Sequence, residues 1–145
     1  MDHILFDTDV LLDFYFDRVP FSNHTARVLN LCKENLIQGF TTPLIIANTY
    51  YLLRKTAKHE FVIDKLNQLL NIIDIIEMNK NVVLKSLNSS FKDFEDALQN
   101  FSAVENGNIQ VILTRNVKDF KRSELAILTP ESYLKGKEMF ENQVN

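Results

Sequence analysis

Ile4-Leu5-Phe6-Asp7-Thr8-Asp9-Val10-Leu11-Leu12-Asp13 joins two different periodicities near the start of the chain. Ile4-Leu5-Phe6 is a short continuous apolar run between His3 and Asp7, the pattern of a strand buried on both faces of a parallel sheet rather than an alternating, half-exposed one. That strand ends at Asp7. Val10, Leu11, Phe14 and Tyr15 then recur at helical spacing, and Asp7, Thr8 or Asp9 offers a side-chain oxygen to the free N–H groups of the first helical turn. A strand leading directly into a helix is the first half of a βαβ unit.

The rest of the chain repeats the alternation. Pro20 and Phe21 interrupt the first helix, and a second is expected over residues 23–35, with Ala26, Leu29 and Cys32 or Lys33 on one stripe and Gly39 in the turn that follows. Phe40-Thr41-Thr42 reads as the second strand, and Pro43 opens a helix running to about Lys55. Phe61, Leu66, Leu69 and Leu70 continue a helical pattern, after which Ile72-Ile73-Asp74-Ile75-Ile76 changes to a branched run typical of strand. Val82, Val83, Leu84 and Leu87 give another helix. The next begins near Asp93 and stops at Asn106-Gly107-Asn108. Val111-Ile112-Leu113 and Ala126-Ile127-Leu128 are the last strands, and Pro130 opens the terminal helix. Strands alternating with helices imply right-handed crossovers. The fold class is α/β: an α/β/α sandwich around a parallel sheet of four or five strands.

Composition agrees with one folded unit over residues 1–145. The chain is 46% apolar and 24% charged, which excludes disordered and low-complexity classes, and three Gly and three Pro are too few for a turn-rich barrel or sandwich. A net charge of −3 gives no broad electrostatic grip on nucleic acid, so any contact with phosphate must be local or bridged by a cation. Cys32 is the single cysteine, which rules out an internal disulfide and a Cys-based zinc cage. His3, His24 and His59 lack zinc-ligand spacing. No apolar stretch approaches the ~20 residues that cross a bilayer, and no secretory signal opens the chain. A cytoplasmic protein without membrane contact is expected.

Ligands of open parallel sheets bind beyond the carboxyl ends of the strands, so polar residues that follow strands are the first candidates for function. Asp7 and Asp9 follow the first strand; Thr114, Asn116 and Asp119 follow Val111-Ile112-Leu113; Asp93, Glu95 and Asp96 open the preceding helix. Singly, each acid has a plainer reading as a helix cap or turn residue. Gathered at one place they would repel one another unless a divalent cation neutralised them, and oxygen-only donors suit Mg²⁺ or Mn²⁺.

Taken together, Ile4 to Asp13, Asp93-Phe94-Glu95-Asp96-Ala97-Leu98-Gln99, Thr114-Arg115-Asn116-Val117-Lys118-Asp119-Phe120 and Leu128-Thr129-Pro130-Glu131 resemble the PIN-domain nucleases, in particular the VapC-type toxins of prokaryotic toxin–antitoxin pairs. The resemblance spans nearly the whole chain. It implies a metal-dependent endoribonuclease in which Asp7, Asp96 and Asp119 hold Mg²⁺ or Mn²⁺ and are catalytic. Thr8, Asn48, Thr114 and Asn116 would support them, and Arg115 and Lys118 would meet the RNA backbone. An antitoxin protein and a homodimer are the partners it implies.

Two positions depart from that pattern: Asn116 stands where some relatives have Asp, a role that Asp119 would take over, and the second lies after the second strand. The helix after the second strand usually carries Glu or Asp in the family, and here Pro43-Leu44-Ile45-Ile46-Ala47-Asn48 puts an amide there. An amide ligates through its carbonyl but brings no charge. This opens an alternative, a catalytically degenerate scaffold that binds RNA or a protein partner. Phe6-Asp7-Thr8-Asp9 also resembles the Asp-x-Asp loop of haloacid-dehalogenase-like phosphatases, in which the first Asp is a nucleophile. The glycine that usually follows is absent, and no later Asp-Asp pair follows a strand. Among the aromatic residues, Phe14, Tyr15, Tyr50 and Tyr51 are candidates for a dimer surface rather than for stacking on bases.

Overall fold

The computed structural model describes residues 1–144. Its elements run in order β1 (His3–Phe6), α1 (Thr8–Tyr15), α2 (Phe21–Lys33), β2 (Gln38–Thr41), α3 (Pro43–Leu53), α4 (His59–Leu70), β3 (Asp74–Ile75), α5 (Lys80–Leu87), α6 (Phe94–Asn106), β4 (Val111–Leu113), a 3-10 turn (Val117–Phe120), β5 (Ala126–Leu128) and α7 (Pro130–Val144). The five strands form one sheet in the order β3-β2-β1-β4-β5, every neighbouring pair parallel. Seven α-helices flank it.

Successive side chains of a strand point to opposite faces. Ile4, Leu5 and Phe6 of β1 and Ile112 and Leu113 of β4 are all fully buried, so both faces of the sheet centre are covered. That is the expected sandwich. The main core gathers these residues with Val10, Leu11, Val28, Ile45, Phe120 and Leu134. A satellite cluster of Leu12, Leu53, Val62 and Leu66 packs where α1, α3 and α4 meet.

The sheet centre also fixes where a ligand can sit. β1 lies between β2 and β4, in register Ile4 to Gly39 and Ile4 to Val111. The chain leaves β1 toward β2 and β3 on one side and later returns to add β4 and β5 on the other. Strand order therefore reverses at the β1/β4 boundary, and the crevice beyond their carboxyl ends is the topological switch point. Asp7 and Thr114 are the residues that directly follow those two strands.

Gly39 lies inside β2, not in the turn expected from the sequence. A side chain there would place Cβ 2.6 Å from Cγ2 of Ile73 and 2.8 Å from both Sγ of Cys32 and Cε2 of Phe6, all in the core. The glycine is needed for close packing beneath β2 rather than for a bend. Gly39→Ala should destabilise the protein by ~1–3 kcal/mol through overpacking, read as a lower urea midpoint with unchanged slope. An unchanged midpoint would show that Ile73 and Cys32 move aside freely.

Two other boundaries differ from expectation. α2 begins at Phe21, directly after Pro20, rather than at Asn23. β3 is confined to Asp74 and Ile75, which pair with Phe40 and Thr41, whereas Ile73 and Ile76 turn into the core. The run Ile72 to Ile76 is apolar because of that burial on either side, not because it is a long strand.

Candidate functional site

A cavity of about 510 Å³ opens at the switch point, lined by Asp7, Thr8, Asp9 and Leu12 at the start of α1, Asn48, Tyr51 and Leu52 from α3, Lys55 from the turn after it, Glu95, Asp96 and Gln99 from α6, and Asn116. Three helices thus contribute one face each. On α3 the contributing positions follow helical spacing, and on α6 Asp96 and Gln99 are three residues apart.

Asp7 is the deepest acid of this lining, only 8% exposed. It caps α1, its Oδ1 accepting the Thr8 N–H at 2.8 Å, and its Oδ2 accepts the Thr114 hydroxyl at 2.9 Å. The cap reading and the site reading of Asp7 therefore both hold. Thr114 is fully buried and also accepts the Asn116 N–H at 3.0 Å, so one hydroxyl orients the carboxylate and the loop after β4 together. Asp9 is tied to the same loop: its Oδ2 accepts the Arg115 N–H at 2.9 Å.

Across the cavity, Asp93 caps α6 by accepting the Asp96 N–H at 3.0 Å. The Asp96 carboxylate, not used in capping, is left to the cavity. Asn48 donates through Nδ2 to Oε2 of Glu95 at 3.3 Å, which brings an acid of α6 beside the amide of α3.

Burial and mutual repulsion raise these acids together. Asp7 is pushed up to about 7, first by burial and then by Asp9, against the opposing pull of the Thr8 N–H and the Thr114 hydroxyl. Asp96 is also pushed up to about 7, by burial and by Asp93, Asp7, Asp119 and Glu95. Asp9 is raised by burial, offset by its bond from the Arg115 N–H. Carboxylates held this close, in a lining whose one cation is Lys55, are short of positive charge.

The donor set is oxygen-only, as Mg²⁺ or Mn²⁺ requires. Among the described residues, no three of His, Cys, Asp and Glu stand close enough to cage an ion unaided. Mg²⁺ does not need such a cage: it is usually held by one or two carboxylates, with waters and substrate phosphates completing its shell. Asp7 and Asp96, with the carbonyl of Asn48, fit that arrangement.

Other candidate residues are placed differently. Asp119 lies in an adjoining hollow with Asp93, Lys118, Lys121 and Arg122; its charge is felt at Asp96, but it does not line the acidic cavity. Lys118 is exposed there. Arg115 is not a free cation for RNA: its Nε and Nη2 grip both oxygens of the fully buried Asp13, the latter at 2.9 Å, and its guanidinium lies 4.1 Å from the centre of the Phe21 ring. Asp9 and Glu95, candidates by their place beside strands, line the cavity, whereas Gln99, Tyr51 and Lys55 were not singled out from the sequence for the places they take here. The signal available for α3 was the three-residue spacing of Asn48 and Tyr51 along one helical face.

Residues 3–118 match the profile of the PIN domain. The chain belongs to the PIN domain family. Among related proteins, this PIN domain is 27% identical over 137 residues to Ribonuclease VapC1 of Aquifex aeolicus (strain VF5), an alignment covering 91% of this chain and 93% of that one. Its fold is that of a toxin-antitoxin complex from Klebsiella pneumoniae, with a TM-score of 0.64 at 20% identity over 88% of this chain and 97% of that one. It is also that of VapC20 of Mycobacterium tuberculosis, a sarcin-ricin loop cleaving toxin, with a TM-score of 0.60 at 13% identity over 80% of this chain and 92% of that one.

Proposed function

We propose that the protein is a VapC-type ribonuclease, the toxin of a toxin–antitoxin pair, cleaving RNA phosphodiester bonds with Mg²⁺ or Mn²⁺ in the cavity between α1, α3 and α6. The observation that carries this reading is the meeting of Asp7 and Asp96, far apart in the sequence, across one cavity at the sheet's switch point, with the Thr114 hydroxyl holding Asp7. The alignment with Ribonuclease VapC1 over most of both chains supports the same reaction. Residues 1–145 act as a single PIN-like domain.

Asp7 and Asp96 are the catalytic acids and metal ligands, and Asn48 adds a neutral oxygen. Asp119 acts from the neighbouring hollow, and Lys118 beside it meets the RNA backbone. A bound divalent ion would polarise a non-bridging phosphate oxygen and lower the pKa of its water toward neutrality. The protein's own part is to fix the carboxylates before RNA arrives: Thr8 and Thr114 through Asp7, and Asn116 through the loop it ties to Thr114. An antitoxin is the expected partner, in keeping with the fold shared with the toxin-antitoxin complex from Klebsiella pneumoniae, and a homodimer is the expected assembly. The expected location is the cytoplasm, in keeping with the absence, among the described residues, of a helix long and apolar enough to cross a membrane.

A second reading rests on Asn48, which leaves α3 without a charge at the cavity: a PIN scaffold that binds RNA or a partner without cutting. Purified protein freed of partners and incubated with a pool of cellular RNA separates the two. The nuclease reading expects fragments that vanish with chelator, return with Mn²⁺, and are absent with Asp96→Asn. An inert parent, with cleavage appearing only in Asn48→Glu, would establish the non-cutting scaffold instead.

A further inference from the structure

Gln99 is an amide buried in the wall of an acidic cavity, 2% exposed, on the same face of α6 as Asp96. Its Oε1 accepts the Thr42 hydroxyl at 2.7 Å. Thr42 is itself fully buried and fixed: it caps α3, its Oγ1 accepting the Ile45 N–H at 3.1 Å. The amide oxygen is thereby committed, and the donor end, Nε2, has no hydrogen-bond partner among the described residues. The sealed and unpartnered polar atoms of the described residues are His24 Nδ1, Thr25 Oγ1, Thr41 Oγ1 and Ser102 Oγ; Gln99 Nε2 is not one of them. It therefore keeps some accessible surface, on a residue that lines the cavity.

Buried donors are almost always paired, and one left free at the edge of a cavity is suited to a ligand acceptor. Asp7, Asp9, Glu95 and Asp96 give the lining its charge. A lysine or arginine at the position of Gln99 would be drawn onto those carboxylates and neutralised. An amide stays neutral at all working pH values, carries two N–H donors, and offers them to any acceptor that enters. A phosphodiester supplies such acceptors in its non-bridging oxygens and has only Lys55 as a counter-charge in the lining.

We propose that Gln99 binds the substrate: its Nε2 donates a hydrogen bond to a non-bridging oxygen of the RNA phosphate in the cavity, with Thr42 holding the amide in that orientation. The inference rests on the ribonuclease reading for the identity of the phosphate as that of RNA. Thr42 is a positioning residue, acting only through Gln99. The arrangement also gives the buried Thr42–Gln99 pair a role that helix capping alone does not require, since the Ile45 N–H needs the Thr42 oxygen but not the amide.

Two measurements test it. Gln99→Met keeps length and volume but removes the donor, and its folding is checked by its melting temperature. With an RNA oligonucleotide cut by the parent, kcat/KM should fall about 10- to 100-fold, the range for a lost hydrogen bond to a charged group. Phosphorothioate substitution at the scissile position should slow the parent in one diastereomer more than it slows the variant, because the variant has already lost that bond. Equal kcat/KM, or the same sulfur effect in both proteins, overturns the proposal. The second measurement does not need cleavage: in ¹⁵N-labelled parent, the Gln99 side-chain amide resonance, identified by its loss in Gln99→Met, should shift on titration with the RNA oligonucleotide in Ca²⁺. No shift overturns the proposal. A shift in a protein that cuts no RNA under Mn²⁺ sinks the ribonuclease reading while leaving Gln99 as a phosphate donor.

Discussion

Asp7→Asn should abolish RNA cleavage, by ~10²–10³ or more, and at the same time make the metal-free protein more stable at pH 8. The two effects share a cause. Asp7 has its pKa pushed up to about 7 in the folded protein against 3.8 for an ordinary aspartate, mainly by burial and by Asp9. A raised folded-state pKa contributes stability that is complete below the unfolded value and lost as pH climbs through the folded one. Above pH 7 the parent thus carries a buried charge that the variant lacks. A three-unit shift sets a ceiling of ~4 kcal/mol. The charge-assisted bonds from Thr8 and Thr114, weaker to an amide, reduce the net gain to about 2 kcal/mol, which is ~4–8 °C for a domain of this size. Thermal melts in chelator at pH 8 and pH 5 check this: the advantage of Asp7→Asn should fall by more than half at pH 5. A variant that melts below the parent at pH 8 would mean that the hydrogen bonds of Asp7 outweigh its repulsion. Adding Mn²⁺ should raise the melting temperature of the parent and leave the variant unmoved.

Arg115→Met should have the opposite signature, a large loss of stability. Asp13 is fully buried, and both of its oxygens are held by Arg115, with Arg18 adding a longer contact at 3.4 Å. Removing one member of such a pair strands a buried charge, at a cost of ~3–5 kcal/mol. For this chain that is a fall of ~6–20 °C in melting temperature. The loss should shrink when Asp13 is also made neutral, since no stranded carboxylate then remains. Lys118→Ala, in the exposed neighbouring hollow, should change stability by less than ~0.5 kcal/mol. If Arg115→Met melted like the parent but bound RNA more weakly, Arg115 would be an RNA contact after all.

The contrast between these residues marks what could be read along the chain. β1 and β4 were legible because short apolar runs buried on both faces leave no alternation to misread. The placement of Asp7 and Asp96 at the crevice was legible for a related reason: residues that follow a central strand, or open the helix before one, lie at its mouth whatever the details of packing. Gly39 was misread because a glycine between a helix and a strand looks like a turn, and only the positions of Ile73, Cys32 and Phe6 reveal that it is a contact. Arg115 was misread in the same way. Its neighbours in sequence are polar and basic, whereas its partner, Asp13, lies on α1 and was expected only as part of an apolar helix. Gln99 needed the rotation of α6 about its axis, and Tyr51 that of α3. Neither angle is written in residue spacing alone.

The strand order has a consequence for the nascent protein. β1 is made first, yet its neighbour on the catalytic side, β4, is among the last elements to leave the ribosome. Until then Asp7 lacks Thr114, Asp9 lacks the Arg115 amide, and α6 has no strand beside β1 to lead into. A chain interrupted after α1 but before β4 carries the opening acids and no assembled cleft, so unfinished copies of the ribonuclease lack the site that would cut RNA.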